Sequence, residues 1–210
     1  DADDMPPFVH LNLRRNPFGE FDRDERKQLA VVELGELPRR LSTSDKVAVQ
    51  FVGSKGRGKS TRLLALHAHF PTVPYTQLRA GDDVDVLPHA TQFFDSFDQW
   101  PKRRRRRLLR GVQKLACTTH VDLEPELHKQ GFDVVTCAVG GAEREQLFVL
   151  VQQLVGRRIS HCRRTPAPVP HLDDDDIHQL IALFGDDIRA MEDHLYDLFQ
   201  ALPGVCRVQV

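Results

Sequence analysis

The chain has no C-x-x-C pair. Its four cysteines, Cys117, Cys137, Cys162 and Cys206, are widely spaced, which excludes a zinc ribbon or a thioredoxin-type redox site and fits reduced, structural thiols. No uninterrupted apolar run approaches the roughly 18–20 residues that a membrane-spanning helix needs. The Asp1–Pro7 start lacks the basic-then-apolar pattern of a secretion signal. The expectation is a cytoplasmic protein without a membrane span. Net charge is almost absent as well, −1 over 210 residues, so no whole-chain basicity argues for nucleic acid. No segment repeats at a fixed period, which removes solenoid architectures.

What is present is a globular composition. Hydrophobic residues make up 40% of the chain, and a chain of this length can bury roughly 70% of the surface its unfolded form exposes. The charge is segregated: residues 101–120 carry eight basic side chains and no acid, whereas 171–188 carry six aspartates and no lysine or arginine.

Local patterns organise the chain into three pieces: residues 1–45, 46–141 and 142–210. In the first, Asp22 followed by Glu25 reads as a helix cap, and Leu29, Val32 and Leu37 supply the stripe of one leading helix. In the second, Lys46–Val52 is short, β-branched and almost continuously apolar, as a strand buried on both faces of a parallel sheet should be. Thr61–Phe70 then resumes at helical spacing until Pro71 stops it. Thr72–Leu78, Ala90–Asp95, Lys114–Thr119 and Phe132–Ala138 are four further strands, and Pro74 sends the first of these to a sheet edge. From Ala142 the spacing predicts helices only, around Leu147/Val151/Leu154, Ile177/Leu180/Ile181/Phe184 and Ile188/Met191/Leu195/Leu198. Arg163–Pro170, rich in proline, makes a connector. The fold class is therefore α/β: a five-stranded parallel sheet flanked by helices, followed by a small all-helical part.

Gly53-Ser54-Lys55-Gly56-Arg57-Gly58-Lys59-Ser60 satisfies G-x-x-x-x-G-K-[ST] between a predicted strand and a predicted helix. In that context the glycines let successive backbone N–H groups and a helix N-terminus converge on an anion, the signature of a phosphate-binding P-loop. Lys59 would place its charge on the terminal phosphates, Ser60 would be a ligand of the Mg²⁺ that accompanies them, and Thr61 would contact the α-phosphate. Asp95 ends an apolar strand with a carboxylate and is the second candidate for holding Mg²⁺. Ser96 stands where many ATPases carry a glutamate. Asp98 is either a substitute base or the cap of a helix starting near Pro101. Thr119 and His120 end another strand at the same sheet edge, where they either meet a γ-phosphate or form a surface turn.

Arg189 lies at a helix start, either as a nucleotide contact or as a solvated charge. Five consecutive arginines, Arg103–Arg107, wrap right round a helix. They form a solvated helix, a contact to nucleic acid, or an anchor for an acidic protein surface such as the aspartate run of a neighbouring copy.

These pieces together resemble the AAA+ P-loop ATPases, most closely the helicase-loader and origin-recognition-like branch and the related secretion ATPases, from Asn16 to about Leu202. The resemblance implies that Asn16-Pro17-Phe18-Gly19 lies against the adenine, with Phe18 as the contact. It further implies that Asp95 is the metal acid, that Thr119, with His120, is the first sensor, and that Gly185–Arg189 is the second sensor of a helical lid. It also implies an ATPase that binds ATP/ADP with Mg²⁺ and couples nucleotide to lid closure and to a protein partner or homo-oligomer. Ser96, and the absence of arginine in His128-Lys129-Gln130-Gly131, depart from that family and point to hydrolysis that is slow, absent or partner-dependent. The alternatives are a hydrolysis-defective nucleotide-gated scaffold, a nucleic-acid-binding ATPase and a small-molecule kinase.

Overall fold

The computed structural model describes residues 7–81, 86 and 89–210, so that of the Asp1–Pro7 start only Pro7 is included. The chain forms two compact units, one joining the residues up to Val31 to Gly141–Val210, the other running from Val32 to Gly140. The leading piece of the sequence is thus shared between them.

In the second unit, β1 (Val47–Val52), β2 (Tyr75–Gln77), β3 (Thr91–Asp95), β4 (Lys114–Thr119) and β5 (Asp133–Ala138) form one sheet in the order β2-β3-β4-β1-β5. Every pairing is parallel. The strand periodicity of two sorts the side chains. Val47, Val49 and Phe51 of β1 pack with Phe93 and Ala116 against Leu63 and Leu66 of α3 (Lys59–His67). Ala48, Phe94, Leu115 and Cys117 pack on the opposite face with Phe97, Trp100 and Leu109. β2 lies at the edge, as Pro74 requires, and Pro74 contributes only its carbonyl, which accepts from the Phe93 N–H at 3.3 Å.

Gln50 is fully buried in the middle of β1, and all its amide atoms are used. Its Nε2 donates to Asp122 Oδ1 at 2.7 Å and Thr136 Oγ1 at 2.8 Å, and its Oε1 accepts from the Leu123 N–H at 3.0 Å. A buried amide left unpaired would cost about 1–3 kcal/mol. Placed as it is, Gln50 ties β1 to the loop after β4 and to β5.

Two short helices of this unit escape the sequence patterns. α2 (Leu37–Thr43) seats Leu41 beside β1, and α5 (Glu124–His128) carries Glu126. The single leading helix expected through Leu29, Val32 and Leu37 is two helices. α1 (Arg23–Leu29) begins at the Asp22–Glu25 capping box and ends at Leu29, and Leu37 opens α2 beyond an extended stretch and Gly35, whose φ is +50°.

The first unit is built on α6 (Arg144–Cys162), α7 (Asp174–Phe184) and α8 (Ile188–Ala201). Leu147, Val151, Val155 and Ile159 repeat every four residues along α6 and meet Ile177, Leu180 and Ile181 of α7 and Met191, Leu195 and Phe199 of α8. Leu11, Leu13 and Phe18 from the N-terminal segment complete this core. The Arg163–Pro170 connector is irregular yet pinned: Asn12 Nδ2 donates to the carbonyls of Thr165, Ala167 and Pro168. α7 starts with a capping box between Asp173 and Asp176, and Asp176 also accepts two bonds from Arg207 at 2.8 and 3.2 Å.

Candidate functional site

β1 runs into the glycine-rich segment at a point where the main chain is crowded. A Cβ on Gly53 would stand 2.2 Å from the Val139 carbonyl oxygen, so only glycine fits. Gly56 and Gly58 adopt φ of +84° and +82°, the left-handed turns that bring the loop round to α3. Gly58 is the N-cap and offers no side chain, so the first N–H groups of α3 are left for another acceptor. Lys59 is buried and donates from Nζ to the Ser54 carbonyl at 2.7 Å across the loop. Burial pushes its ammonium below the usual lysine range, against the opposing charges of Asp98 and then Asp95. Ser54 and Lys55 are exposed on the loop, Gly56 and Arg57 are half-buried, and Thr61 is half-buried on the first turn of α3.

Asp95 is held by three hydroxyls. Its Oδ1 accepts from Ser60 at 2.9 Å and Thr118 at 2.6 Å, and its Oδ2 accepts from Tyr75 at 3.2 Å. The sheet register explains the set. Phe93 and Asp95 point to the α3 side of β3, Ala116 points to the same side of β4, and two residues on along β4 comes Thr118. Thr119 falls on the other side, where its hydroxyl donates to the Val121 carbonyl at 2.6 Å within its own turn. At this strand end it is Thr118 that bonds the Asp95 carboxylate, whereas Thr119, read from the sequence as either a γ-phosphate contact or part of a surface turn, bonds within its own turn. Register would have identified Thr118, and Tyr75 with it, but the strand lengths had to be known first.

After Asp95 the backbone turns at once. Ser96 has φ +62° and ψ +49°, a left-handed conformation that a serine adopts at a cost of about 1 kcal/mol. Its N–H donates to Thr118 Oγ1 at 2.7 Å. The turn carries Asp98 to His120: Asp98 Oδ2 accepts from the His120 N–H at 3.3 Å and lies 3.1 Å from His120 Nδ1. Asp98 Oδ1 is buried with no hydrogen-bond partner among the described residues. Asp98 does not cap the following helix, α4 (Lys102–Leu109), whose N-cap is Pro101 and has no side-chain bond, so that alternative is corrected. His120 is exposed, and its Nε2 has no hydrogen-bond partner among the described residues. The lysine, the two carboxylates, the hydroxyls and the histidine thus belong to one unit, gathered at the carboxyl ends of β1, β3 and β4.

Phe18 and Arg189 belong to the other unit. Phe18 is buried, with its ring centroid 5.1 Å from that of Phe199 in an edge-on contact. Asn16 fixes this segment by accepting from the Phe18 N–H at 3.0 Å and donating to the Tyr196 carbonyl at 2.9 Å. Arg189 is exposed on the first turn of α8, which is capped by Asp187 through the Ala190 N–H at 3.1 Å.

The donor chemistry fits a hard divalent cation. Ser60 and Asp95 present oxygen only, and among the described residues no group of three or more His, Cys, Asp or Glu side chains is placed to hold a metal ion. Such a pair suits Mg²⁺, which keeps most of its shell as water and phosphate oxygen.

No protein-family model matches the chain, and no curated protein matches it. The fold is similar to that of NtrX from Brucella abortus in complex with ATP, at 15% identity and a TM-score of 0.54, over 91% of this chain and 52% of that one. It is also similar to NtrX from Brucella abortus in complex with ADP, at 15% identity and a TM-score of 0.50, over 84% and 52%. The chain spans about half the length of these solved structures. The five-stranded parallel sheet, its flanking helices and the C-terminal helical part constitute a P-loop NTPase fold.

Proposed function

We propose that the chain is a Mg-ATP-binding module of AAA+ type that couples nucleotide binding, with slow hydrolysis, to closure of its helical part and to remodelling of a partner. One observation carries this: Lys59, Ser60 and Asp95 stand together beneath a glycine loop whose helix N-terminus lacks a side-chain cap. The similarity to structures of NtrX in complex with ATP and with ADP supports the same reading.

In this reading the Gly53–Gly58 amides and the first turn of α3 cradle the phosphates. Lys59 exchanges the Ser54 carbonyl for a phosphate oxygen, and Thr61 contacts the α-phosphate. Ser60 and Asp95 would hold Mg²⁺, which would supply positive charge to offset that of the phosphates. His120 Nε2 accepts a proton from the water that attacks the γ-phosphorus as the bond to the bridging oxygen breaks. Asp98 orients that imidazole through Nδ1 and so stands in for the carboxylate that Ser96 does not provide. Phe18 against the adenine and Arg189 on the phosphates are roles taken from the family resemblance.

Calorimetry with Mg-ATP tests the binding. Lys59→Ala should weaken it at least about tenfold, the loss of one charge-assisted contact; unchanged affinity would overturn the site. Single-turnover assays test the chemistry: Asp98→Asn should slow hydrolysis with affinity retained, and imidazole in solution should partly restore His120→Ala. A wild-type protein that binds Mg-ATP without hydrolysing it would favour the nucleotide-gated scaffold, the reading that Ser96 supports.

A further inference from the structure

α4 and Arg110 carry the most basic stretch of the chain, and the fold divides it. Arg105 turns inward: it is 8% exposed, and its Nη2 and Nε donate to Glu126 at 2.6 and 3.2 Å. Arg104 stacks, its guanidinium carbon 3.9 Å from the centre of the Trp100 ring. The run therefore does not wrap the helix evenly, as its sequence suggests. Lys102, Arg103, Arg106, Arg107 and Arg110 remain exposed, and none of the five has an acidic partner among the described residues. At 100° per residue they fill an arc of about 140° along one side of the helix. No acidic or apolar residue interrupts that arc.

We infer that this stripe is a docking surface for the phosphate backbone of nucleic acid. Charge density favours that occupant. From Lys102 to Arg110 the helix rises about 12 Å, a length over which duplex DNA presents about seven phosphate charges at one per 1.7 Å or so. Four of the five cations are arginines, whose planar, multi-donor heads suit phosphate. A protein partner is disfavoured because interface cores are depleted of charge and need apolar anchors, which the arc lacks. A membrane surface is disfavoured for the same want of apolar side chains to insert. Three of the four aspartates that a second copy could offer are already engaged: Asp176 and Asp173 bind Arg207, and Asp174 accepts from Gln152. The inference does not depend on the nucleotide site.

The test is fluorescence anisotropy of the full chain with a labelled DNA duplex, without nucleotide, across a salt series. The comparison is Arg103→Gln/Arg106→Gln/Arg107→Gln, which leaves the Arg105–Glu126 pair in place. The wild type should bind and lose affinity several-hundred-fold between 50 and 200 mM salt, and the variant should flatten the log–log slope by about 2.7, roughly 0.9 for each contact removed. Its circular dichroism and Mg-ATP affinity should match the wild type, so that misfolding is separated from loss of contact. Absence of wild-type binding at 50 mM salt would overturn the inference. So would an unchanged slope in the variant, or equally tight, equally Arg-dependent binding of poly-L-glutamate or of anionic vesicles.

Discussion

The Thr118 hydroxyl donates to Asp95 Oδ1 at 2.6 Å while accepting from the Ser96 N–H at 2.7 Å. One side chain thereby fixes both the strand-ending carboxylate and the left-handed turn that follows it. Thr118 is 1% exposed, so neither bond is shared with water.

Thr118→Val keeps the volume and removes both bonds. The Ser96 amide loses its acceptor, and the expected loss of stability is about 1–3 kcal/mol in urea denaturation. Hydrolysis should fall as Asp95 and the Ser96 turn lose their anchor. Thr119→Val, on the opposite side of β4, should leave the Asp95 bonds intact and affect turnover much less in a single-turnover assay.

Gly53→Ala places a methyl group against the carbonyl of Val139, where the separation would be 2.2 Å. Backbone atoms cannot give way as a flexible side chain does, so the loop or β5 must shift. A loss of about 1–3 kcal/mol is expected from overpacking, together with weaker Mg-ATP binding. Denaturation and calorimetry on the same sample measure both.

Burial works against a charge on Asp176, but the Arg207 guanidinium and the backbone N–H of Asp173 outweigh it and hold the carboxyl below the ordinary aspartate range. The folded protein therefore binds this proton less readily than the unfolded chain. The stabilisation is present above the unfolded value near 4 and is lost as pH falls through the lower folded value. Asp176→Asn should lower the melting temperature at pH 7 and have a progressively smaller effect as pH falls below about 4. An equal loss at pH 7 and pH 2 would refute the linkage.

The fold was legible wherever apolar periodicity was strong. β1, β3, β4, β5 and the three long C-terminal helices follow from the spacing of their apolar residues, and the edge position of β2 follows from Pro74. Short helices such as α2 and α5 lack enough turns to show a period. The sharing of the N-terminal segment with the C-terminal helices depends on long-range contacts such as Phe18 with Phe199, which no local pattern encodes. At the site, the loop was legible because its chemistry is carried by contiguous residues. Thr118 and Tyr75 were not, because their approach to Asp95 is set by the stagger between neighbouring strands. Arg105 was hidden inside a run of identical residues, since its partner Glu126 lies across the β4–α5 connection.

The segment from Asp95 to Arg105 is clamped at each end, by hydroxyl donors around Asp95 and by Glu126 at Arg105, with Asp98 bonded to His120 between them. A span so short and so tightly fastened has little slack. The carboxylate at the end of β3 and the root of α4 are thus the two fixed ends of one restrained stretch of chain.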